Sequence, residues 1–333
     1  MSPDRIPVLE LRDLTVRFGR GRQAFAAVDR VSLSIGERET LGLVGESGCG
    51  KSTLARAIVG LVPPDSGGLR IRGEDFAAAR GRRLRALRSR VQMVFQDPYS
   101  SLNPRMSVEE TLKEAATTHA RLGRAAAELR VGALLDMVGL PATARRRRPS
   151  EFSGGQRQRI AIARALAVGP ALLVADEITS ALDVSVQANV LNLVKSIQRD
   201  AGLAMLFISH NLAVVRHVSD RVAVMHVGRV VEESPARNLF GDPRHPYTQA
   251  LLDAVPRLHG ALSATSLGEA VDPRHPPAGC TYHPRCIRRP NADADGLCTA
   301  LDPALRAVSA SHRAACHYPD VAGPTRLVTE TWT

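Results

Sequence analysis

The N-terminal part of the chain has the pattern of hydrophobic and polar positions that β-strands show. Val8–Leu11 and Leu14–Phe18 alternate between apolar and polar side chains and are rich in β-branched and aromatic residues. Leu41–Val44 is a short apolar strand that leads into a glycine-rich turn. Ser52–Gly60 then has helical periodicity, and two prolines follow it.

Helices and strands continue to alternate up to about residue 209. Helices are expected over 80–90, 107–140, 156–167 and 184–200, and strands over 91–95, 171–176 and 204–209. This alternation, with a glycine turn after an early strand, predicts an α/β fold built on a mostly parallel sheet. Around Pro235 the composition changes, and we expect an irregular segment rich in Pro, His and Cys over 236–333. The length of 333 residues suits two such domains.

The composition is that of a protein with a hydrophobic core. Hydrophobic residues make up 44% and charged residues 23%. Near the middle of the chain the longest apolar run is Ala171–Ala175, whereas a membrane-spanning helix needs about twenty residues. Met1–Arg12 lacks a secretory pattern, so we expect a cytoplasmic protein.

The net charge of +11 leaves nucleic acid, anionic lipid and nucleotide open as partners. Of the 44 basic residues only Lys51, Lys113 and Lys195 are lysines, so an arginine-favouring composition is the simpler explanation of the charge. Aromatic residues make up 4%, which disfavours base stacking, and we expect no nucleic acid partner.

The glycine-rich turn fits the phosphate-binding pattern G-x-x-x-x-G-K-[ST]. Its glycines let backbone N–H groups curl around phosphate oxygens, and the following helix directs its N-terminal dipole at the anion. Lys51 would supply charge to the β- and γ-phosphates, and the Ser52 hydroxyl would bind Mg²⁺. Cys49 is interpreted as a small filler. The expected contact residues are Gly45, Ser47, Gly48, Cys49, Gly50, Lys51, Ser52 and Thr53.

Two acids follow the apolar strand at 171–176. Asp176 would hold the magnesium, and Glu177 would act as the general base on the attacking water. Between this strand and the glycine turn lies Ser153-Gly154-Gly155-Gln156, which precedes a predicted helix and gives a second N-terminus suited to an anion.

Together these motifs resemble the ATP-binding cassette (ABC) ATPases over residues 8–235. The resemblance implies a P-loop core with a helical subdomain at 97–165. It also implies that Ser153–Gln156 is the signature motif, which closes over ATP held by a partner subunit. Gln96 would match the Q-loop glutamine that senses magnesium, His210 the switch histidine, and Asp183 the end of the D-loop Ser180–Asp183.

Two positions are less clear in this comparison. Phe18 is the candidate for stacking on adenine, although Phe25 is near and either ring could belong to the core. Ile178 stands where the family usually has proline, which bears on the geometry of the turn after Glu177.

The stretches Val91–Pro104 and His245–Leu252 resemble the ATPase subunits of dipeptide and oligopeptide importers. This implies two separate permease subunits, an extracytoplasmic peptide-binding protein and a position at the cytoplasmic face of the membrane. Asp97–Pro104 best resembles the second of two paired ATPases, which favours a heterodimer. Importers of nickel or glutathione share the pattern. The alternative class is a soluble cassette ATPase that acts on ribosomes or DNA.

Four of the five cysteines lie near the end of the chain, with 5, 11 and 17 residues between them. By count, four thiolates suit zinc or an iron–sulfur cluster equally, and His283, His312 and His317 could compete as ligands. The resemblance to the importer family favours a structural [4Fe–4S] cluster over zinc. The candidate ligands are Cys280, Cys286, Cys298 and Cys316.

Overall fold

The fold is built on two β-sheets. The structure, a computed structural model, describes residues 6–97, 101–120, 123–180, 182–254, 271–288 and 293–320. In chain order the strands are β1 Leu9–Phe18, β2 Phe25–Ile35, β3 Thr40–Val44, β4 Ser66–Ile71, β5 Glu74–Asp75, β6 Val91–Val94, β7 Leu172–Asp176, β8 Ala204–Ile208, β9 Arg221–His226, β10 Arg229–Pro235, β11 Arg306–Ser309 and β12 His312–Ala314.

The helices flank these sheets and fill the loops between them. In chain order they are α1 Lys51–Ile58, α2 Gly81–Arg90, α3 Val108–Ala120, α4 Arg124–Met137, α5 Gly154–Leu166, α6 Val184–Ala201, α7 Leu212–Val218, α8 Ala236–Gly241, α9 Pro246–Asp253 and α10 Leu297–Ala300. The helical subdomain expected at 97–165 contains α3, α4 and most of α5, while its residues 98–100 and 121–122 lie outside the described ranges.

The larger sheet has the strand order β11-β12-β10-β9-β3-β8-β7-β6. Its strands β9, β3, β8, β7 and β6 pair in parallel, as the alternation of strands and helices predicted. Every residue of β3, β7 and β8 is buried, because helices or the smaller sheet cover both faces. The smaller sheet is antiparallel, in the order β2-β1-β4-β5.

Successive side chains of the central strands pack into different apolar clusters. Leu172 and Val174 face a cluster with β1, β2 and α1, whereas Leu173 and Ala175 face the helices α3 to α6. This period of two places the core on both sides of one sheet. The carboxyl ends of β3, β6, β7 and β8 therefore lie along one edge, where α/β folds bind their ligands.

The segment after residue 235 is more regular than its composition suggested. The expectation of irregular structure was wrong for residues 306–314, because β12 pairs with β10 and with β11 and extends the central sheet. The buried Glu232 on β10 fastens the segment: its carboxylate accepts the backbone N–H groups of Arg244 and His245 and lies 2.6 Å from Nε2 of His312.

Candidate functional site

The glycine-rich turn joins β3 to α1 and depends on glycine for its shape. Gly45 has φ 155° and Gly50 has φ 107°, conformations that L residues rarely adopt. A Cβ at Gly45 would lie 2.1 Å from the carbonyl oxygen of Met225, and one at Gly50 would lie 2.1 Å from that of Ala27. The turn is therefore wrapped closely by neighbouring backbone, as a loop that cradles an anion must be.

Lys51 begins α1 and folds back over the turn. Its ammonium donates to the carbonyl oxygens of Gly45, at 2.8 Å, and Glu46, at 2.9 Å, and the side chain is almost fully buried. The positive charge is thus held inside the turn. Cys49 is buried beside it, and burial raises the pKa of its thiol, which agrees with a filler and not a nucleophile.

Asp176 and Glu177 stand at the carboxyl end of β7, next to this turn. The Ser52 hydroxyl donates to Oδ1 of Asp176 at 3.2 Å, so the two expected magnesium ligands are already in contact. Burial raises the pKa of Asp176, because a carboxylate loses hydration there. A nearby divalent cation would favour the charged form.

Glu177 is held by the side chains expected to work with it. Nε2 of Gln96 donates to Oε2 of Glu177 at 3.0 Å, and Nδ1 of His210 lies 3.4 Å from Oε1. The backbone of Glu177 has φ 48°, an uncommon conformation for a residue other than glycine. Ile178, which stands in place of the usual proline, is buried in the apolar cluster that also contains residues of α6.

Lys51, Ser52, Gln96 and Glu177 line one open cleft of about 520 Å³, whereas Asp176 and His210 are not among its lining residues. The glycine turn forms its floor, Gln96 and Glu177 lie on one side, and Phe18 and Phe25 lie on another. The two rings are 6.2 Å apart, and neither is buried in the core, so both remain available to a flat ligand. Asp272, Pro273 and Arg274 of the C-terminal segment also line the cleft.

The residues Ser153–Gln156 do not line this cleft. Ser153 caps α5: its hydroxyl accepts the N–H of Gln156, whose side chain accepts the N–H of Ser153. Gly155 packs closely on α6, since a Cβ there would lie 2.4 Å from Cγ1 of Val186. The chain thus has a second helix N-terminus, at which Ser153 is exposed and Gly155 is buried.

Asp183 caps the next helix. Its carboxylate accepts the N–H of Val186 and the hydroxyl of Ser185, and these hydrogen bonds lower its pKa. Ala181, in the middle of the expected D-loop, lies outside the described residues.

Comparison with known proteins assigns this arrangement to a family. Residues 28–180 match the model of the ABC transporter family, and residues 231–292 match that of the oligopeptide/dipeptide transporter C-terminal region. The oligopeptide transport ATP-binding protein AppF of Bacillus subtilis is 44% identical over 324 residues, which cover 93% of this chain and 97% of AppF. The chain belongs to the ABC transporter ATPases.

Other similar proteins are also named as peptide transport ATP-binding proteins. A putative peptide import ATP-binding protein of Brucella abortus is 48% identical over 92% of this chain and 90% of its own length. OppF of Salmonella typhimurium, an oligopeptide transport ATP-binding protein, is 47% identical over 84% of this chain and 88% of its own.

Solved structures of ATP-binding cassettes share the fold. A cassette in a dimeric post-hydrolysis state bound to ADP and Pi has a TM-score of 0.62 at 28% identity, covering 69% of this chain and 99% of that one. The cbiO1 protein of Clostridium perfringens, part of an ABC transporter complex, has a TM-score of 0.65 at 26% identity, covering 72% and 92%.

The four C-terminal cysteines of this ABC ATPase line one small cavity of about 20 Å³. Burial raises the pKa of Cys280 to about 11 and that of Cys298 to about 12. Within the described ranges, however, no three or more His, Cys, Asp or Glu side chains stand close enough to hold a metal ion. The arrangement of the described side chains therefore does not support the expected [4Fe–4S] cluster, nor a zinc site. Of the competing histidines, His283 and His317 line the cavity, whereas His312 is bonded to Glu232.

The roles of Glu46 and Arg274 in this site are not predicted by the sequence. Glu46 occupies a position that the motif leaves free, yet Arg285 and Tyr247 both bind it. Arg274 reaches the cleft from far along the chain. Tyr247 lies in the stretch that resembles peptide importers, so the sequence marked that stretch as important. The sequence does not show, however, that Tyr247 contacts Glu46.

Proposed function

We propose that this chain hydrolyses MgATP and thereby energises the uptake of dipeptides and oligopeptides through separate permease subunits. The observation that carries the proposal is the single cleft that brings the glycine turn, Gln96 and Glu177 together. The cargo rests on the names of the relatives, which are peptide and oligopeptide transport ATP-binding proteins.

The phosphates of ATP would bind in the glycine turn. Backbone N–H groups of residues 45–53 and the N-terminus of α1 would face the phosphate oxygens, and Lys51 would exchange its carbonyl partners for the β- and γ-phosphates. Phe18, the more exposed of the two rings, would stack on the adenine. Magnesium would be held by Ser52, Asp176 and Gln96, and would neutralise charge on the β- and γ-phosphates.

Glu177 would act as the general base. One carboxylate oxygen is fixed by Gln96, and the other faces His210. In hydrolysis the carboxylate takes a proton from water, the water oxygen bonds to the γ-phosphorus, and the bond to the β-phosphate oxygen breaks to leave ADP. His210 would contact the γ-phosphate.

A second subunit would complete the site. The exposed N-terminus of α5, with Ser153, Gly154, Gly155 and Gln156, has the backbone donors and dipole for the γ-phosphate of ATP bound to a partner. Asp183 lies at the start of the adjacent helix and would face the same interface. We propose a pair with a homologous ATPase, in a heterodimer.

The chain would work as a peripheral subunit at the cytoplasmic face of the membrane. Among helices of the described residues, none has both the length and the apolar character of a bilayer span. Two permease subunits would form the pathway, and an extracytoplasmic peptide-binding protein would deliver the cargo. The names of the relatives support this assembly.

We further propose that the cysteine cavity binds a [4Fe–4S] cluster through Cys280, Cys286, Cys298 and Cys316. The four thiols line one cavity and by count suit zinc or an iron–sulfur cluster equally, and the resemblance to the importer family favours the cluster. Such a group would supply cross-links and no chemistry in ATP hydrolysis. Protein purified without oxygen should be brown and contain about four irons per chain by metal analysis. A colourless protein with one zinc per chain contradicts the proposal.

Transport tests the proposed function. Proteoliposomes that contain the permeases, both ATPases and the binding protein should accumulate a labelled tripeptide when MgATP is present on the cytoplasmic side. The matched control carries Lys51→Ala in this chain and should lose most of the uptake. Uptake of nickel or glutathione but not of peptides would contradict the peptide assignment and leave the ATPase assignment intact.

A further inference from the structure

Glu46 is the second residue of the glycine turn, and its side chain is bound by the C-terminal segment. The Arg285 guanidinium donates from Nη1 to Oε2 at 3.0 Å and from Nη2 to Oε1 at 2.7 Å. Only 7% of the Arg285 side chain and 22% of the Glu46 side chain are exposed. Two parallel bonds between partly desolvated charges fix position and orientation together.

The backbone of Glu46 is held by the same part of the chain. Its N–H donates to the hydroxyl oxygen of Tyr247 at 2.8 Å. Tyr247 is fully buried near the start of α9, and its ring packs against His226, at 4.4 Å, and Tyr282, at 5.4 Å. Tyr247 is therefore a rigid acceptor, and it fixes the direction of one peptide group in the turn.

Glu46 also touches the catalytic machinery directly. Its carbonyl oxygen accepts from the ammonium of Lys51 at 2.9 Å. A continuous set of contacts thus runs from Arg285 and Tyr247 through Glu46 to the lysine that meets the phosphates. A shift of Glu46 would move the backbone of the turn and, in the nucleotide-free chain, Lys51 as well.

We propose that Arg285 and Tyr247 are positioning residues of the nucleotide site, which hold the phosphate-binding turn in its binding shape through Glu46. The proposal rests on the proposed ATP site and adds a C-terminal part to it. A preorganised turn binds phosphate without first being ordered, so loosening it weakens nucleotide binding. The same segment already reaches the cleft through Asp272 and Arg274.

The competing explanation is that Arg285 merely docks the C-terminal segment on the core. In that case the Arg285–Glu46 ion pair would contribute to the free energy of unfolding and would not affect nucleotide affinity in the folded protein. Arg313 offers a control, because it lies in the same C-terminal segment and forms an Arg–Glu pair with Glu233 of β10, with 41% of its own side chain exposed. Glu233 keeps Arg221 as a second partner, so the loss of Arg313 leaves no unpaired buried charge.

The test compares Arg285→Met, Glu46→Gln, the double variant and Arg313→Met in the full-length chain assembled with its partner subunits. We expect Arg285→Met and Glu46→Gln each to raise KM for MgATP and Kd for MgADP about tenfold, with kcat changed less than about twofold, since phosphate binding is lost equally in the ground and transition states. The double variant should lose about as much affinity as one single variant, because both remove one interaction. Arg313→Met should bind as wild type does.

A second readout needs no nucleotide. Backbone amides of residues 45–51 should exchange hydrogen faster in nucleotide-free Arg285→Met than in wild type or Arg313→Met. If Arg285→Met does not fold, Arg285→Lys, which keeps the charge but loses the paired bonds, should show a loss of about threefold and the same change in exchange.

Unchanged affinity and exchange in the folded Arg285 and Glu46 variants would overturn the proposal. So would an equal loss in Arg313→Met, or losses that multiply in the double variant. A wild-type protein that binds no MgATP would instead contradict the ATP site itself, and the exchange measurement would still decide whether Arg285 holds the turn.

Discussion

At the scale of single residues, burial determines which side chains carry charge near the nucleotide site. His226 lies at the end of β9, is 2% exposed, and packs on the rings of Tyr247 and Tyr282. Burial lowers its pKa from 6.5 to about 4, and the charge of Arg285 acts in the same direction, while that of Glu46 opposes it. His226 is therefore neutral at physiological pH.

This burial predicts a loss of stability in acid. Because the folded protein binds a proton on His226 less readily than the unfolded chain, the free energy of unfolding should fall as pH drops from 6.5 towards 4. The contribution of this one group is about 3 kcal/mol, since a pKa difference of one is worth about 1.4 kcal/mol. Urea unfolding at a series of pH values measures the slope.

His226→Phe, which keeps a ring of similar shape, should flatten that slope and leave stability at pH 8 nearly unchanged. His245, whose pKa burial lowers to about 3, should account for part of the slope that remains. An identical acid slope in the variant would show that His226 is not the group responsible.

At the scale of secondary-structure elements, one glycine fixes how α5 meets α6. A Cβ on Gly155 would lie 2.4 Å from Val186, whereas one on Gly154 would lie at an ordinary 3.4 Å from Leu182. Gly155→Ala should therefore lower the free energy of unfolding by about 1–3 kcal/mol, the usual cost of overpacking. Gly154→Ala is the control and should change it by less than about 0.5 kcal/mol. Chemical denaturation compares the two, and equal stabilities would contradict this packing.

The elements that the sequence predicts well are those whose pattern is set by burial on both faces. The runs at 41–44, 171–176 and 204–209 are almost wholly apolar, and they became the fully buried strands β3, β7 and β8. Strands β11 and β12 were missed, because they are short, carry Arg306, His312 and Arg313, and exist only through pairing with β10. A local pattern cannot reveal a strand that is stabilised by a distant partner.

In the candidate site, too, some features can be predicted from the local sequence and others cannot. Lys51, Asp176, Glu177 and His210 each follow a buried strand, so their convergence at one sheet edge could be predicted from the order of elements. The contact of Arg285 with Glu46 spans 239 residues of sequence and depends on how the C-terminal segment folds back. Nothing in the local sequence around either residue specifies that contact.

At the scale of the whole molecule, the proposed function gives the chain half of each of two nucleotide sites. The glycine turn and Glu177 line the cleft, while Ser153 and the residues that follow it do not. In this proposal, this chain and a homologous subunit would each supply what the other lacks. The C-terminal segment extends the central sheet, lines the cleft and forms an ion pair with Glu46 of the glycine turn. We infer that it belongs to the ATPase unit.

The most direct test of this account is ATP turnover and ATP retention measured together on the assembled ATPase pair, with wild-type chain and with Glu177→Gln. The wild type should release phosphate from MgATP. Glu177→Gln should retain ATP with affinity within a few-fold of wild type while turnover at its own site falls at least about 100-fold, because the turn and Lys51 are intact and only the base is lost. Wild-type turnover at that site in Glu177→Gln, or a wild-type chain that retains no MgATP, would contradict the central claim.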